Sequence, residues 1–258
     1  MLDAMVRPHP RPCVRRPVGA GRAALGAAVA ALLLAACGGS PGTIGPTGVD
    51  ELTIPTTAPD PADFRDVVDN PWFPLPGGAT WSYRVEHDVA AAGQVVEVEA
   101  RVTPRHPVVD GVTTTEYLEL GRSARAARLR SRSWYAQDHA GNVWLFGRRV
   151  DYPGGGRDPV VWRSGDPGVG AGLAMPASPR VGDGFWAVKV PGAEQTRLQV
   201  NGVDGSLETV LGPVANVVEL QVRGGDTTLS YAPEVGLVLV DSGATRMTLA
   251  SAELPGSL

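Results

Sequence analysis

The chain has 258 residues, 43% apolar and 19% charged, with 27 acidic against 23 basic side chains and a formal charge of −4. Five of the basic residues but only one acid lie in the first 36, leaving 18 basic and 26 acidic side chains, a net −8, for the remainder. So acidic a body disfavours nucleic acid as a partner, and the two cysteines, Cys13 and Cys37, give no disulfide framework.

The first segment has the order of an export signal. Arg7, Arg11, Arg15, Arg16 and Arg22 lead into Ala23 to Ala36, apolar apart from one glycine. That length suits a signal core and falls short of the roughly twenty residues a spanning helix needs. Leu34-Ala35-Ala36-Cys37 then reads as a lipobox, in which small residues precede a cysteine whose thiol takes a diacylglyceryl group before cleavage. The expectation is a signal peptide over 1–36 and a mature chain beginning at lipidated Cys37, exported and anchored to the outer face of the cell membrane. A single fatty acyl chain such as palmitate holds only marginally, so the two chains of the diacylglyceryl group supply the anchor. Cys13 falls in the discarded leader, which leaves Cys37 as the mature chain's sole cysteine and excludes thiol catalysis and cysteine metal sites there.

Gly38 to Ala62 is dense in Gly, Pro, Thr and Ser and lacks periodic apolar residues, so it reads as a flexible tether, with residues 37–62 spanning on the order of 25–30 Å. A single β domain is expected over 63–258. A short helical turn is predicted over Asp63 to Val68, stopped by Asn70-Pro71.

Strand patterns follow. Trp81, Tyr83, Val85, His87 and Val89 alternate with mostly polar residues, and Val96, Val98, Ala100 and Val102 alternate with Glu97, Glu99 and Arg101. Asp110-Gly111 between Val108-Val109 and Val112 to Leu118 signals a tight hairpin. Leu129 to Ala136 and Val143 to Phe146 form a second hairpin around Asp138 to Asn142. Its arginines 128, 130 and 132 share the wet face, while Leu129, Ser131, Ser133 and Tyr135 share the other. Gly154-Gly155-Gly156 and the Gly/Pro-rich run from Ser164 to Pro179 read as long loops. Further strands are predicted at Phe185 to Val190, Thr196 to Val203, Leu207 to Leu211, Ala215 to Val222, Thr227 to Ala232, Leu237 to Asp241 and Arg246 to Ala252. The fold class is all-β: a single antiparallel curved sheet or partly open barrel, with a short N-terminal helical turn and long Gly/Pro loops.

Three segments carry a resemblance: Asn70-Pro71-Trp72-Phe73-Pro74-Leu75, then Trp134-Tyr135-Ala136-Gln137-Asp138-His139-Ala140-Gly141-Asn142-Val143-Trp144-Leu145-Phe146-Gly147, then Tyr231-Ala232-Pro233-Glu234-Val235-Gly236-Leu237-Val238. In this order they resemble an uncharacterised family of exported bacterial lipoproteins. Its members are more distantly similar to curved β-sheet envelope proteins of the lipoprotein-carrier type. The resemblance implies the curved sheet and brings no catalytic residues with it. Ser133 departs from it, standing where an acid often precedes the Trp-Tyr pair.

Read physically, Pro71, Pro74 and Pro76 stiffen an extended entry, and Trp72, Phe73 and Trp81 offer large apolar surfaces to plug one end of a sheet. Asp138 is placed to bond backbone amides within its turn, with Gly141 or Asn142 left-handed. That turn lacks the further acidic ligands of a calcium loop. His87, His106 and His139 have no metal-ligand spacing. Neither a Gly-x-Ser-x-Gly elbow nor a Lys-Ser/Thr after the glycine triplet is present. Glu97 and Glu99 share a strand face, which alternation places in solvent. No cofactor, metal site or enzymatic activity is expected.

The aromatics are the remaining binding candidates: Trp72, Trp81, Trp134 and Trp144 as lining of an apolar site, against the plainer reading that they fill the core. The leading expectation is a membrane-anchored, non-enzymatic protein binding an apolar or amphiphilic envelope component, such as a lipid. The alternative is a structural or interaction module that contacts another envelope protein. A carrier of whole lipids requires an apolar cavity of at least about 300 Å³.

Overall fold

The computed structural model describes residues 59–89, 94–123, 127–153 and 157–255. The leader, Cys37, nearly all of the tether and Gly154-Gly155-Gly156 lie outside the described residues.

The first element is a 3-10 turn, Pro61–Asp63, capped by the Asp60 side chain, which accepts from the Ala62 amide at 2.9 Å. The helical turn expected at Asp63 to Val68 is therefore displaced toward the N-terminus. From Phe64 the chain is extended as β1 (Phe64–Arg65), which pairs in register with Gln137 and Asp138. A ladder to a preformed strand outcompetes a lone helical turn, whose nucleation is unfavourable. β2 (Asp69–Asn70) and β3 (Phe73–Pro74) then make a separate two-residue pairing.

The main sheet opens with β4 (Thr80–His87) and β5 (Glu97–Val102). The predicted Asp-Gly hairpin follows as β6 (Val108–Val109) and β7 (Val112–Thr113). Asp110 at φ 52° and Gly111 at φ 80° are the two left-handed residues that a tight two-residue turn matching strand twist requires. Next come β8 (Thr115–Arg122), β9 (Ala127–Asp138), β10 (Val143–Asp151), β11 (Val160–Arg163) and β12 (Gly172–Met175). The second half comprises β13 (Gly184–Lys189), β14 (Gln195–Thr209), β15 (Gly212–Val222), β16 (Thr228–Ala232), β17 (Gly236–Asp241) and β18 (Thr245–Glu253).

These strands form one 14-stranded antiparallel sheet in the order β11-β10-β9-β8-β5-β4-β18-β17-β16-β15-β14-β13, with β12 also on β10 and β1 on β9. Two meanders meet where the last strand, β18, pairs with β4. A sheet of this width curls, and the curl brings its two ends together. β12, on the outer edge of β10, lies against β13 at the opposite end, so that a Cβ on Gly172 would stand 2.0 Å from the Ala187 carbonyl oxygen. Hydrogen-bonded pairing stops at this seam, leaving a cup rather than a closed barrel.

Two departures from the sequence reading are informative. β11 and β12 lie in or beside stretches read as loops; every residue of β12 is buried, so the segment carries no alternation to detect. Conversely, the two strands expected over 196–203 and 207–211 are one long strand, β14, whose register shifts between Val200 and Gly202, Gly202 and Gly205, and Gly205 and Ser206. Bulges interrupt the alternation there without ending the strand.

The faces of β9 alternate as the period-two pattern predicts only up to Ser133, with Arg132 half-buried and Ser133 to Gln137 all buried. Leu129, Ser131, Ser133 and Tyr135 are buried, while Arg128 and Arg130 are exposed. Glu97 and Glu99 likewise face outward, Glu99 pairing with Arg122 at 3.2 Å.

Candidate functional site

The three sequence segments singled out above converge at the mouth of the cup. The buried Gln137 side chain on β9 accepts from the amides of Asp69 and Asn70, each at 2.9 Å, and its own amide donates to Asp69 Oδ1 at 2.6 Å. Asn70 Nδ2 donates to the carbonyls of Gly141 and Pro176 at 3.0 and 3.1 Å. On the other side, the Glu234 amide in the β16–β17 turn donates to the Pro71 carbonyl at 2.7 Å. The Asn70 to Leu75 strap is thereby tied to both halves of the sheet and carries Phe73 across the opening.

Beneath the strap is a cavity of about 80 Å³, lined by six aromatic rings among aliphatic side chains. The rings follow one another around it, with centroid separations of 5.7 Å for Trp81–Tyr117, 6.3 Å for Tyr117–Tyr135, 5.0 Å for Tyr135–Phe73 and 5.9 Å for Phe73–Tyr231. Tyr83, Leu229, Leu237, Val240 and Met247 add to the wall, together with two charged residues, Glu119 and Arg148. Phe73, Glu119 and Leu237 are half-buried, so the cavity opens at that rim.

The polar atoms of the wall are mostly committed. Trp81 Nε1 donates to the Val235 carbonyl at 2.8 Å, and the Tyr83 hydroxyl donates to the Leu237 carbonyl at 3.0 Å. The side chain of Tyr117 neighbours that of Tyr83, and that of Tyr135 neighbours Ser133 and Arg148. Burial is the largest cause holding the phenols of Tyr83, Tyr117, Tyr135 and Tyr231 above their ordinary pKa, and the neighbouring Glu119 charge adds to it in all four.

Arg148 is neutralised from the far end of the sheet. Glu194, in the turn between β13 and β14, accepts from Arg148 Nη1 at 3.0 Å and from Trp162 Nε1 at 3.2 Å. Glu119 has no ion pair or hydrogen bond among the described residues. Its cross-strand neighbour on the same face is Ser131, and Ser131 Oγ is fully buried without a hydrogen-bond partner.

Of the four tryptophans expected to line a site, Trp81 lines this cavity. Trp72 sits on the strap and donates to the Asn216 carbonyl at 3.1 Å. Trp134 lies on the opposite face of β9, its ring under the Arg163 guanidinium at 4.9 Å and its Nε1 on Glu116 at 3.3 Å. A Cβ on Gly147 would lie 2.9 Å from that ring, so the glycine opposite makes room for the indole. Trp144 is buried, its Nε1 donating to Asp138 Oδ2 at 2.8 Å. Asp138 also accepts from Asn142 N and Nδ2, each at 2.8 Å, and with Gly141 at φ 96° it makes the turn that the sequence indicates.

Sequence reasoning missed Tyr117, Glu119, Arg148, Tyr231 and Glu194 as members of one site. The available signal was the alternation of Tyr83 on β4 and of Tyr117 and Glu119 on β8, which points them to one face. Among the described residues no group of three or more His, Cys, Asp or Glu side chains is placed to hold a metal ion, and no helix is long and apolar enough to cross a membrane. Comparison with family models, curated proteins and solved structures finds no match for this chain, so its function is argued from the geometry.

Proposed function

We propose that the chain is an exported protein anchored to the outer face of the cell membrane through lipidated Cys37, and that its β cup binds one end of an apolar or amphiphilic envelope component. The observation that carries the binding reading is the convergence of all three marked segments on a single aromatic cavity. Lining, rim exposure and strap suit a site that admits a ligand's end group and leaves the rest outside. At about 80 Å³ the cavity is well below the roughly 300 Å³ that engulfs a drug-sized ligand. This narrows the reading from whole-lipid carriage to capture of a terminal group, and no bond-making chemistry is assigned to it.

Two experiments test the two parts. Cys37→Ser should move the protein from the membrane to the soluble fraction and prevent leader removal; unchanged membrane attachment and processing would remove the anchor. For the cup, a hydrophobic fluorescent probe displaced by amphiphiles from the native protein, with the displacement lost in Leu237→Trp, supports binding at the cavity. A probe response indifferent to that rim substitution counts against it.

A second reading, an interaction module, draws on the tip of the β14–β15 hairpin. Val210 and Leu211 are 59% and 51% exposed there, an apolar pair flanked by Glu208. Val210→Asp with Leu211→Ser would abolish cross-linking to an envelope protein under this reading and leave probe binding at the cavity unaltered.

A further inference from the structure

The charges around the cavity do not balance. Glu119 and Arg148 both line the cavity, and Arg148 is paired with Glu194 at 3.0 Å with both side chains of that pair at most 8% exposed. Glu119 is left at the cavity wall with no ion pair or hydrogen bond among the described residues, inside a ring of aromatic faces. Half-buried at the open rim, this carboxylate presents an unpaired negative charge to whatever enters the cavity. Ser131 Oγ, buried and unpartnered beside it on the next strand, is a second polar atom lacking the hydrogen bond that buried groups ordinarily make.

We infer that the end group captured by the cup is cationic, a primary or methylated ammonium, held by Glu119 and the rings of Trp81, Tyr117, Tyr135, Tyr231 and Phe73. This inference rests on the binding role proposed above and names its ligand class. Aromatic rings carry negative faces that attract cations, and cages of such rings are the usual receptors for ammonium groups. An ammonium would pair with the Glu119 carboxylate at the cavity wall, whereas a carboxylate or phosphate end group would meet Glu119 as a like charge. Size agrees as well: about 80 Å³ is smaller than the roughly 150 Å³ apolar cavity that admits benzene, which suits a compact head entering from the open rim with its chain left along Phe73 and Leu237.

The test is a titration of the purified native protein, followed by tryptophan fluorescence, with decylammonium, decanol and decanoate below their micelle concentrations. The inference predicts that decylammonium binds at least about tenfold more tightly than decanol, that decanoate binds most weakly, and that Glu119→Gln collapses the ammonium-to-alcohol ratio toward one. A circular dichroism spectrum matching wild type establishes that the variant is folded. Decanol or decanoate binding as tightly as decylammonium overturns the cationic assignment while leaving the cup's binding role intact. An undiminished ratio in folded Glu119→Gln overturns the role of Glu119. Absence of binding by all three probes overturns both the inference and the role on which it rests.

Discussion

Arg148 on β10 and Glu194 in the β13–β14 turn lie 3.0 Å apart, and this ion pair joins strands that stand at opposite ends of the sheet order. It clasps the seam that backbone hydrogen bonding leaves open. Trp162 Nε1 adds a second donor to the same carboxylate. The pair is buried, so its removal leaves one charge stranded in the interior. Arg148→Met is expected to lower unfolding stability by about 3–5 kcal/mol, and Arg148→Met with Glu194→Leu to recover much of that loss. Urea unfolding of the three proteins checks this, and a single-site loss below about 1 kcal/mol would mean that the seam is held elsewhere.

Gly172 marks the same seam from the backbone side. A methyl group there would collide with the Ala187 carbonyl, and the collision is with backbone, which yields poorly. Gly172→Ala should cost about 1–3 kcal/mol through overpacking, whereas Gly182→Ala, at a position with open space, loses stability only through its positive φ of 97°. Thermal unfolding of the two variants distinguishes crowding from backbone strain.

Gln137 holds the strap by three hydrogen bonds. Gln137→Leu removes the acceptor for two amides and is expected to cost about 1–3 kcal/mol for each amide left buried without a partner. Amide hydrogen exchange should quicken at Asp69 and Asn70 while the β4–β18 pairing keeps its protection.

The buried phenols set an alkaline limit. In the unfolded chain tyrosine ionises near pH 10, whereas burial raises the pKa of Tyr83, Tyr117, Tyr135 and Tyr231 in the fold. The protonated fold is therefore fully favoured below about pH 10, and that contribution is lost as the pH rises from there toward the folded-state values. Tyrosinate absorbance from these four should appear together with the loss of β-sheet circular dichroism. Their titration near pH 10 in a still-folded protein would contradict the buried cluster.

Much of the architecture is legible in the sequence because half-buried strands write their faces at period two. β4 and β5 show it along their length, β9 in its first half and β18 around Met247 and Leu249, and Asp110-Gly111 announces its turn. Legibility fails where both faces are covered, as in β12, and where bulges break the period, as in β14. For the site, the sequence marks the segments that build it but selects its residues poorly. Tryptophan is conspicuous by size, yet Trp134 and Trp144 are structural indoles with acidic partners. The cavity is instead walled by four tyrosines with Trp81, Phe73, aliphatic side chains, Glu119 and Arg148, spread over strands that only the curl of the sheet brings together. Pairing of Glu194 with Arg148, across the seam, has no signature along the chain.

The central claim is that the aromatic cavity under the strap holds the end of an amphiphile. Native mass spectrometry of the full chain purified gently from the cells that make it tests it most directly, comparing wild type with Leu237→Trp, which fills the rim without uncovering the core. The account predicts a reproducible small-molecule adduct on wild type that is absent from the folded variant. An adduct of equal occupancy on both proteins, or none on wild type, would contradict it.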